Sequence, residues 1–527
     1  MPRDFHLPGR SPVIACDAMA ATSHPLASLA ALESLRDGGN AADAAVTAAA
    51  VLSVVEPQMT GIGGDCFCMI AKPGAPVWGY NGSGRAGQRA SIEDLISQGL
   101  RNIGLDSIHA VTVPGAIDAW AAVLAAHGRL GLDRALAPAI YYAEQGFPVA
   151  ARVAWDWSQQ VAKLRADVGA SRHYLQDGKA PAEGDVVKLP ALAKTLRTIA
   201  AQGPKGFYEG AVAQDMVATL ASRGSFLTVE DFARHRGEIV APITTNYRGL
   251  DILELPPNTQ GLTALVLLNI LEQFDLAALD PLGPDRFHLM LEGARLAYAV
   301  RDAHVAEPSA MRVTVAKLID KAFAAKLAGC IDRTRRVPRL KTAGFGGDTV
   351  YLSVVDRDRM AVSFINTLYS IFGVGICTEK SGIMLTNRGA CFVLDPEHPN
   401  AFGPHKRPLH TIIPALALRG ERCVLAFGVM GAHYQPMGHV QVVTNIVDHG
   451  MDVQTAIDAP RVFFVGEETV VERNLPQATI EALRARGHDV TFAHAPWGGS
   501  QAIHIDWERG VLIGGSDPRK DGCAIGC

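Results

Sequence analysis

The chain has 527 residues, 48% of them hydrophobic and 19% charged, with a formal net charge of −4. At roughly 100–200 residues per domain, that length allows two to four domains or one large layered unit. The balance is globular, and a faintly acidic chain without a basic run excludes nucleic acid and anionic membrane as expected partners. The opening "MPRDFHLPGRSPV" places Pro and charge where a signal-peptide core would be apolar, and the nine cysteines are scattered and odd in number. Together they predict free thiols and a cytoplasmic location.

In chain order, "ATSHPLASLAALESLRDGGNAADAAVTAAAVLSVVEP" predicts two helices. Thr22 or Ser23 caps the first, Gly38-Gly39 ends it, and Asn40 opens the second. The second is the most apolar stretch, but Asp43 and its small residues suit a buried helix rather than a membrane span. "GIGGDCFCMIAKPG" and "APVWGYNGSGRAG" read as two strands around a Gly/Pro turn. Residues from about 105 to 330 read as mostly helical, with "PPNTQGLTALVLLNILEQF" a loop feeding an apolar helix. Residues 331–347 are basic, Gly-containing and unpatterned, so they predict an exposed segment. Then "TVYLSVVDRD" and "RMAVSFINTLY" alternate around a charged turn and predict a hairpin. "RCVLAFGVM" is a further strand, "GHVQVVTNIVDHG" a helix, and strands near Arg461-Val462 and in "GVLIGGSDPR" close the chain. Helices on both faces of strands predict an α/β layered architecture.

The chemistry concentrates at "GFGGDTVYLSVVDRD". On local pattern alone, a turn leading into a strand is the simpler explanation. A cut between Asp348 and Thr349 would instead give Thr349 a free α-amine beside its hydroxyl. An α-amine titrates near ~7.7–8.0 and can take the proton of that hydroxyl as it attacks a carbonyl. Gly346 and Gly347 would supply the backbone freedom for self-cleavage.

Four blocks decide between these readings. "DGGNAADAAVTAAAVLSVVEPQMTGIGGDCFCMI", "TVYLSVVDRDRMAVSFINTLYSIFGVGI", "GPHKRPLHTIIPAL" and "GVMGAHYQP" span nearly the whole chain. In that order they resemble the γ-glutamyltransferase family of N-terminal-nucleophile hydrolases, whose precursors cleave themselves into two subunits. The resemblance implies a four-layer αββα sandwich, a large subunit 1–348 and a small subunit 349–527. These form one intertwined unit, and the resemblance leaves a dimer of such units open. It implies Thr349 as nucleophile, Thr367 as its hydrogen-bonding neighbour, and the N–H groups of Gly431 and Ala432 as oxyanion donors. Ala432 stands where the family has a second glycine.

The recognition set departs from the family pattern. Arg388 and Cys391 in "TNRGACF" replace the family's Gln and the Asp that holds a substrate ammonium. Tyr369 replaces an Asn, and His410-Thr411 replaces a serine pair. The family's arginine for the α-carboxylate has no match in "AGQRAS", and the segment between "NRGACF" and "KRPL" is shorter than the lid-bearing one. A cation without a matched anion suits a simple carboxylate rather than an amino acid. Arg388, Tyr369, His410, Thr411, Asn387 and, from "GSGRAG", Arg85 are the substrate-binding candidates. Three of these have a structural alternative, an ion-paired Arg388, a loop-bracing Arg85 and a His410 bonded to backbone, and Cys391 is more simply a small buried apolar group than a reactive one. His405, His410, His433 and His439 match no zinc spacing, and neither "GIGGDC" nor "GFGGDT" completes a nucleotide fingerprint.

The expected activity is hydrolysis of a small carboxylate-bearing amide such as oxamate, with no cofactor and no metal. The same replacements resemble the family branch that includes oxamate amidohydrolase and glutathione hydrolase-like proenzymes. The alternatives are a γ-glutamyl hydrolase or transferase with a rebuilt recognition set, and a non-catalytic binding scaffold.

Overall fold

The computed structural model describes residues 9–338 and 349–527. Asp348, Gly346, Gly347 and most of the expected exposed segment therefore lie outside the described residues.

Two seven-stranded antiparallel sheets stack face to face. One runs Val13–Ala15, Val511–Ser516, Gly499–Asp506, Arg422–Met430, Ala415–Arg419, Leu250–Glu254, Ile243–Tyr247. The other runs Cys523–Gly526, Met19–Thr22, Val350–Val355, Ala361–Thr367, Asp65–Ala71, Trp78–Gly82, Glu238–Val240. Helices Pro25–Arg36 and Ala41–Val55 cover the outer face of the second sheet; Gly261–Leu271 and Gln435–Val447 cover that of the first, and Pro284–His304 packs on Gly261–Leu271. The chain is thus an αββα sandwich, as expected. Both sheets take strands from either side of position 349, so neither segment could keep its sheet alone.

The packing follows from small side chains. Every residue of Ala41–Val55 is buried, and its alanines let the helix lie close against Val350–Val355. Asn40 and Asp43 form a capping box, and the buried Asp43 carboxylate also accepts from the Arg129 and Leu130 N–H groups. That explains an acid in an apolar run: it satisfies helix-end donors that have no intrahelical partner. At the same helix end, Asp356 accepts from the Ala41 N–H at 3.0 Å and ties strand to helix. Strand Val350–Val355 is buried on both faces. Between the sheets its Tyr351 hydroxyl reaches Ser353 and Ser363, each at 2.8 Å, and Gly428 leaves room for the Tyr351 ring.

Two expectations change. The first helix is capped by His24, whose Nδ1 accepts from the Leu26 N–H, and not by Thr22 or Ser23; Thr22 instead bonds Ser28 and Ser23 bonds Glu56. That helix ends at Arg36, one turn residue before Gly38. Within the stretch read as helical, residues 238–254 form three strands. The last two are joined by Arg248 and Gly249, both at positive φ (49° and 88°), the backbone of a tight hairpin turn. Among the described residues no helix is long and apolar enough to cross a membrane.

"GIGGDC" has a steric purpose. A Cβ on Gly63 would lie 2.0 Å from the Met384 carbonyl oxygen, and one on Gly64 only 1.9 Å from that of Thr367. The loop presses on the end of the strand that carries Thr367. Gly64→Ala should therefore cost about 1–3 kcal/mol of stability, as overpacking does, and lower activity by displacing Thr367; urea unfolding with an activity assay checks both.

Candidate active site

Thr349 directly precedes the strand Val350–Val355 of the second sheet, next to that sheet's central strand Ala361–Thr367, and is fully buried. Its Oγ1 lies 3.1 Å from Thr367 Oγ1 on the neighbouring antiparallel strand, and either hydroxyl can donate. Thr367 Oγ1 also accepts from the Tyr369 N–H at 2.8 Å. The pairing places Asp65 opposite Thr367 on the next strand. The Asp65 carboxylate accepts from the Gly84 N–H at 2.9 Å and from His410 Nε2 at 3.0 Å.

His410 is therefore turned toward Asp65 and not toward a substrate. Its Nδ1 accepts from the Ile412 N–H, so the proton sits on Nε2. Burial, and then the nearby Arg388 cation, push its pKa down to about 3, leaving an uncharged ring edge-on to Phe67. Arg85 is likewise committed elsewhere. Its guanidinium bonds Glu307 and Glu238 and the His405 carbonyl, beside a separate small cavity with Arg234 and His235. Two carboxylates already neutralise it, so the loop-bracing alternative describes its contacts. Asn387 braces a loop: it donates to the Leu105 carbonyl and Ser370 Oγ and accepts from the Ser370 N–H.

Arg388 is different. It starts a short 3-10 turn, Arg388–Cys391, and is fully buried. Its guanidinium carbon lies 4.0 Å above the Tyr369 ring centroid. Nη1 donates to Thr411 Oγ1 at 2.8 Å and reaches Cys391 Sγ at 3.7 Å. Nε and Nη2 have no hydrogen-bond partner, and no carboxylate pairs with it among the described residues. Tyr369 holds a positive φ of 80°, unusual for a bulky residue, and its hydroxyl is 3.3 Å from His433 Nε2.

The strand Arg422–Met430 ends in Gly431 (φ 119°) and Ala432 (φ 47°), which turn the chain into the helix Gln435–Val447. Neither N–H has a backbone acceptor among the described residues of this turn. Gln260 and Arg301 hold the turn from behind, and Tyr298 donates to the His433 carbonyl. Burial, with Arg301 and Arg388 nearby, keeps the pKa of His433 well below the ordinary value. Two cavities flank the site. One of about 610 Å³ is lined by Tyr369, Cys391 and His433 with apolar Leu394 and Leu409. The other, of about 630 Å³, reaches Gly431, Ser370, Trp155 and Trp497.

Sequence reasoning missed Asp65, Gln260, Arg301 and His433 as members of this cluster. Asp65 stood inside "GIGGDC", Gln260 in "PPNTQG" and His433 in "GVMGAHYQP"; Arg301, on the helix Pro284–His304, left no signal. Among the described residues no three His, Cys, Asp or Glu side chains gather as a metal site.

The model of one family, Gamma-glutamyltranspeptidase, matches residues 27–527. The chain belongs to this family. It is an enzyme of the gamma-glutamyltranspeptidase family, with the N-terminal-nucleophile hydrolase fold. It is 38% identical to the glutathione hydrolase-like YwrD proenzyme of Bacillus subtilis, over 98% of this chain and 99% of that one. It is 36% identical to the oxamate amidohydrolase proenzyme of Klebsiella pneumoniae, over 96% and 98%. Among solved structures it superimposes on a cephalosporin acylase from Bacillus halodurans with a TM-score of 0.94, at 38% identity, covering 100% of this chain and 99% of the other.

Two predictions follow from the geometry. Ala432→Gly relieves a left-handed backbone that costs an L-residue about 1–2 kcal/mol, partly offset by glycine's extra unfolded-state freedom. A gain of about 0.5–1 kcal/mol in urea unfolding is expected, with activity kept. His410 binds its proton more weakly when folded than when unfolded. It therefore lowers stability as pH falls through the ordinary value of 6.5 toward about 3. His410→Gln should remove up to about 1.4 kcal/mol per pH unit of that slope, read as a flatter unfolding midpoint between pH 6.5 and 4.

Proposed function

We propose that this chain is a self-processing amide hydrolase that uses Thr349 as nucleophile on small amides bearing a carboxylate. Cleavage between Asp348 and Thr349 would divide it into subunits 1–348 and 349–527. The observation that carries the substrate class is Arg388: among the described residues it is a buried guanidinium with two N–H-bearing nitrogens unpartnered and no carboxylate beside it. A buried cation without an anion is costly, and a substrate carboxylate relieves that cost on binding.

In this reading the free α-amine of Thr349 takes the hydroxyl proton as Oγ1 attacks the amide carbon. Thr367 orients the nucleophile through the 3.1 Å contact. The oxygen that gains charge is met by the Gly431 and Ala432 N–H groups. Collapse breaks the C–N bond, and the amine leaves with the proton held by the α-amine. Water then attacks the Thr349 ester, gives its proton to the same amine, and releases the acid. With oxamate the products are oxalate and ammonia, the reaction named for the Klebsiella relative. A γ-glutamyl substrate lacks support at the ammonium end, because Cys391 stands where an anion is needed.

Denaturing intact-mass measurement should find two chains, the smaller starting at Thr349. Thr349→Ala should give one chain of full mass and no ammonia release from oxamate. Arg388→Ala should process normally and lose about 10- to 150-fold in kcat/KM, the range for a charged hydrogen bond of about 1.5–3 kcal/mol. Unchanged turnover in Arg388→Ala removes Arg388 as the clamp, and γ-glutamyl-anilide cleavage without oxamate turnover overturns the substrate class.

A further inference from the structure

Gln260 lies in the loop ahead of the helix Gly261–Leu271 and is fully buried. Its Oε1 accepts from Arg301 Nη1 at 2.8 Å. Arginine only donates, so this contact fixes which end of the amide is oxygen. Nε2 then directs its two hydrogens at two carbonyls: Thr411 at 2.7 Å and Ala432 at 2.8 Å. These belong to the two halves of the site. Thr411 is the residue whose hydroxyl anchors Arg388. Ala432 is half of the turn that offers the N–H pair.

The rest of the cluster stiffens this bridge. The Gln260 N–H donates to the His410 carbonyl at 2.9 Å, and the His410 N–H to the Asn258 carbonyl at 2.8 Å, so the loop and the segment carrying Thr411 are also paired through their backbones. Arg301 is fixed in turn by Asp302, by the Tyr298 ring at 4.5 Å and by His433 Nδ1 at 3.0 Å. As the acceptor in that last contact, His433 Nδ1 carries no proton. Every donor and acceptor of the Gln260 side chain is used, and none faces solvent. Such a fully satisfied buried amide has one geometry, and both its partners inherit it.

We propose that Gln260, oriented by Arg301, is a positioning residue that sets the distance between the Arg388 clamp and the Gly431–Ala432 turn, and so sets the acyl length the site accepts. This rests on the function proposed above. An ω-amide acid is held at both ends: its carboxylate at Arg388, its amide oxygen at the turn. The number of carbons between them must match the span, and a misfit of about 1 Å from a residue away from the chemistry can cost 100-fold.

The test is the ω-amide series oxamate, malonamate, succinamate and glutaramate, assayed by ammonia release with wild type, Gln260→Asn and Arg301→Lys. Gln260→Asn is one methylene short and cannot span both carbonyls; Arg301→Lys keeps the charge but loses the fork that orients the amide. Processing into two chains is confirmed by mass for each. Wild type should prefer one length at least 10-fold over its neighbours. Either variant should lose at least 10-fold in kcat/KM on that length and less than 3-fold on an adjacent one, so that the profile shifts or flattens. A uniform loss across all lengths, or no loss, in the processed variants overturns the inference and leaves the proposed function standing. A processed wild type that cleaves none of the four overturns both. If Gln260→Asn does not fold, Arg301→Lys decides alone by the same profile.

Discussion

The guanidinium of Arg388 sits out of water without a carboxylate beside it among the described residues, and its surroundings are arranged around that cost. An isolated buried charge carries a penalty of several kcal/mol even after relaxation. The Tyr369 ring face and Thr411 hydroxyl offset part of it. The neighbouring histidines respond to the same field. His410 and His433 are both held uncharged: His410 by burial and then the Arg388 cation, His433 by burial and then the Arg301 and Arg388 cations. An uncharged His410 can bridge Asp65 to the segment carrying Thr411, and an uncharged His433 can accept from Arg301. Burial and the nearby cations together thus hold both rings neutral.

The site exists because two sheets meet there. Thr349 and Thr367 come from adjacent strands of one sheet, while Thr411 and the Gly431–Ala432 turn flank strands of the other. Close approach of these layers depends on missing side chains: glycine at 63 and 64 under the Thr367 end, glycine at 428 under Tyr351, alanines along Ala41–Val55. Polar groups caught in the seam are paired with one another. The Tyr351–Ser353–Ser363 trio and the Gln260 amide are two instances. This is the expected price of putting hydroxyls and a cation in a dry interior, where an unpaired polar atom costs more than a bond gains.

Much of the fold was legible. The hairpin Val350–Thr367, the buried Ala-rich helix, the strand Arg422–Met430 and the helix behind it were all read from local sequence and are present in the structure. The strands at 238–254 were missed because a helical reading of the long middle segment swallowed a short alternating stretch with a two-residue turn. At the site, Thr349, Thr367, Tyr369, Arg388 and Thr411 were named from motif positions, and the structure joins them by direct contacts. Arg85 and His410 were named on the same grounds and turn elsewhere, because Glu238, Glu307 and Asp65 are their partners. Those partners lie 153, 222 and 345 positions away along the chain.

The sequence by itself determined the family, the layered α/β class and the residue types available at the Thr349 strand and around Arg388, because each is written in local pattern or in a contiguous motif. Only the tertiary structure decided which of two arginines has no carboxylate partner among the described residues, which histidines stay uncharged, and that a loop glutamine ties Thr411 to the Gly431–Ala432 turn. Charge pairing and burial depend on distance in space. Gln260, Arg301, Thr411 and Ala432 come from four separate segments whose nearness nothing in their local sequence encodes.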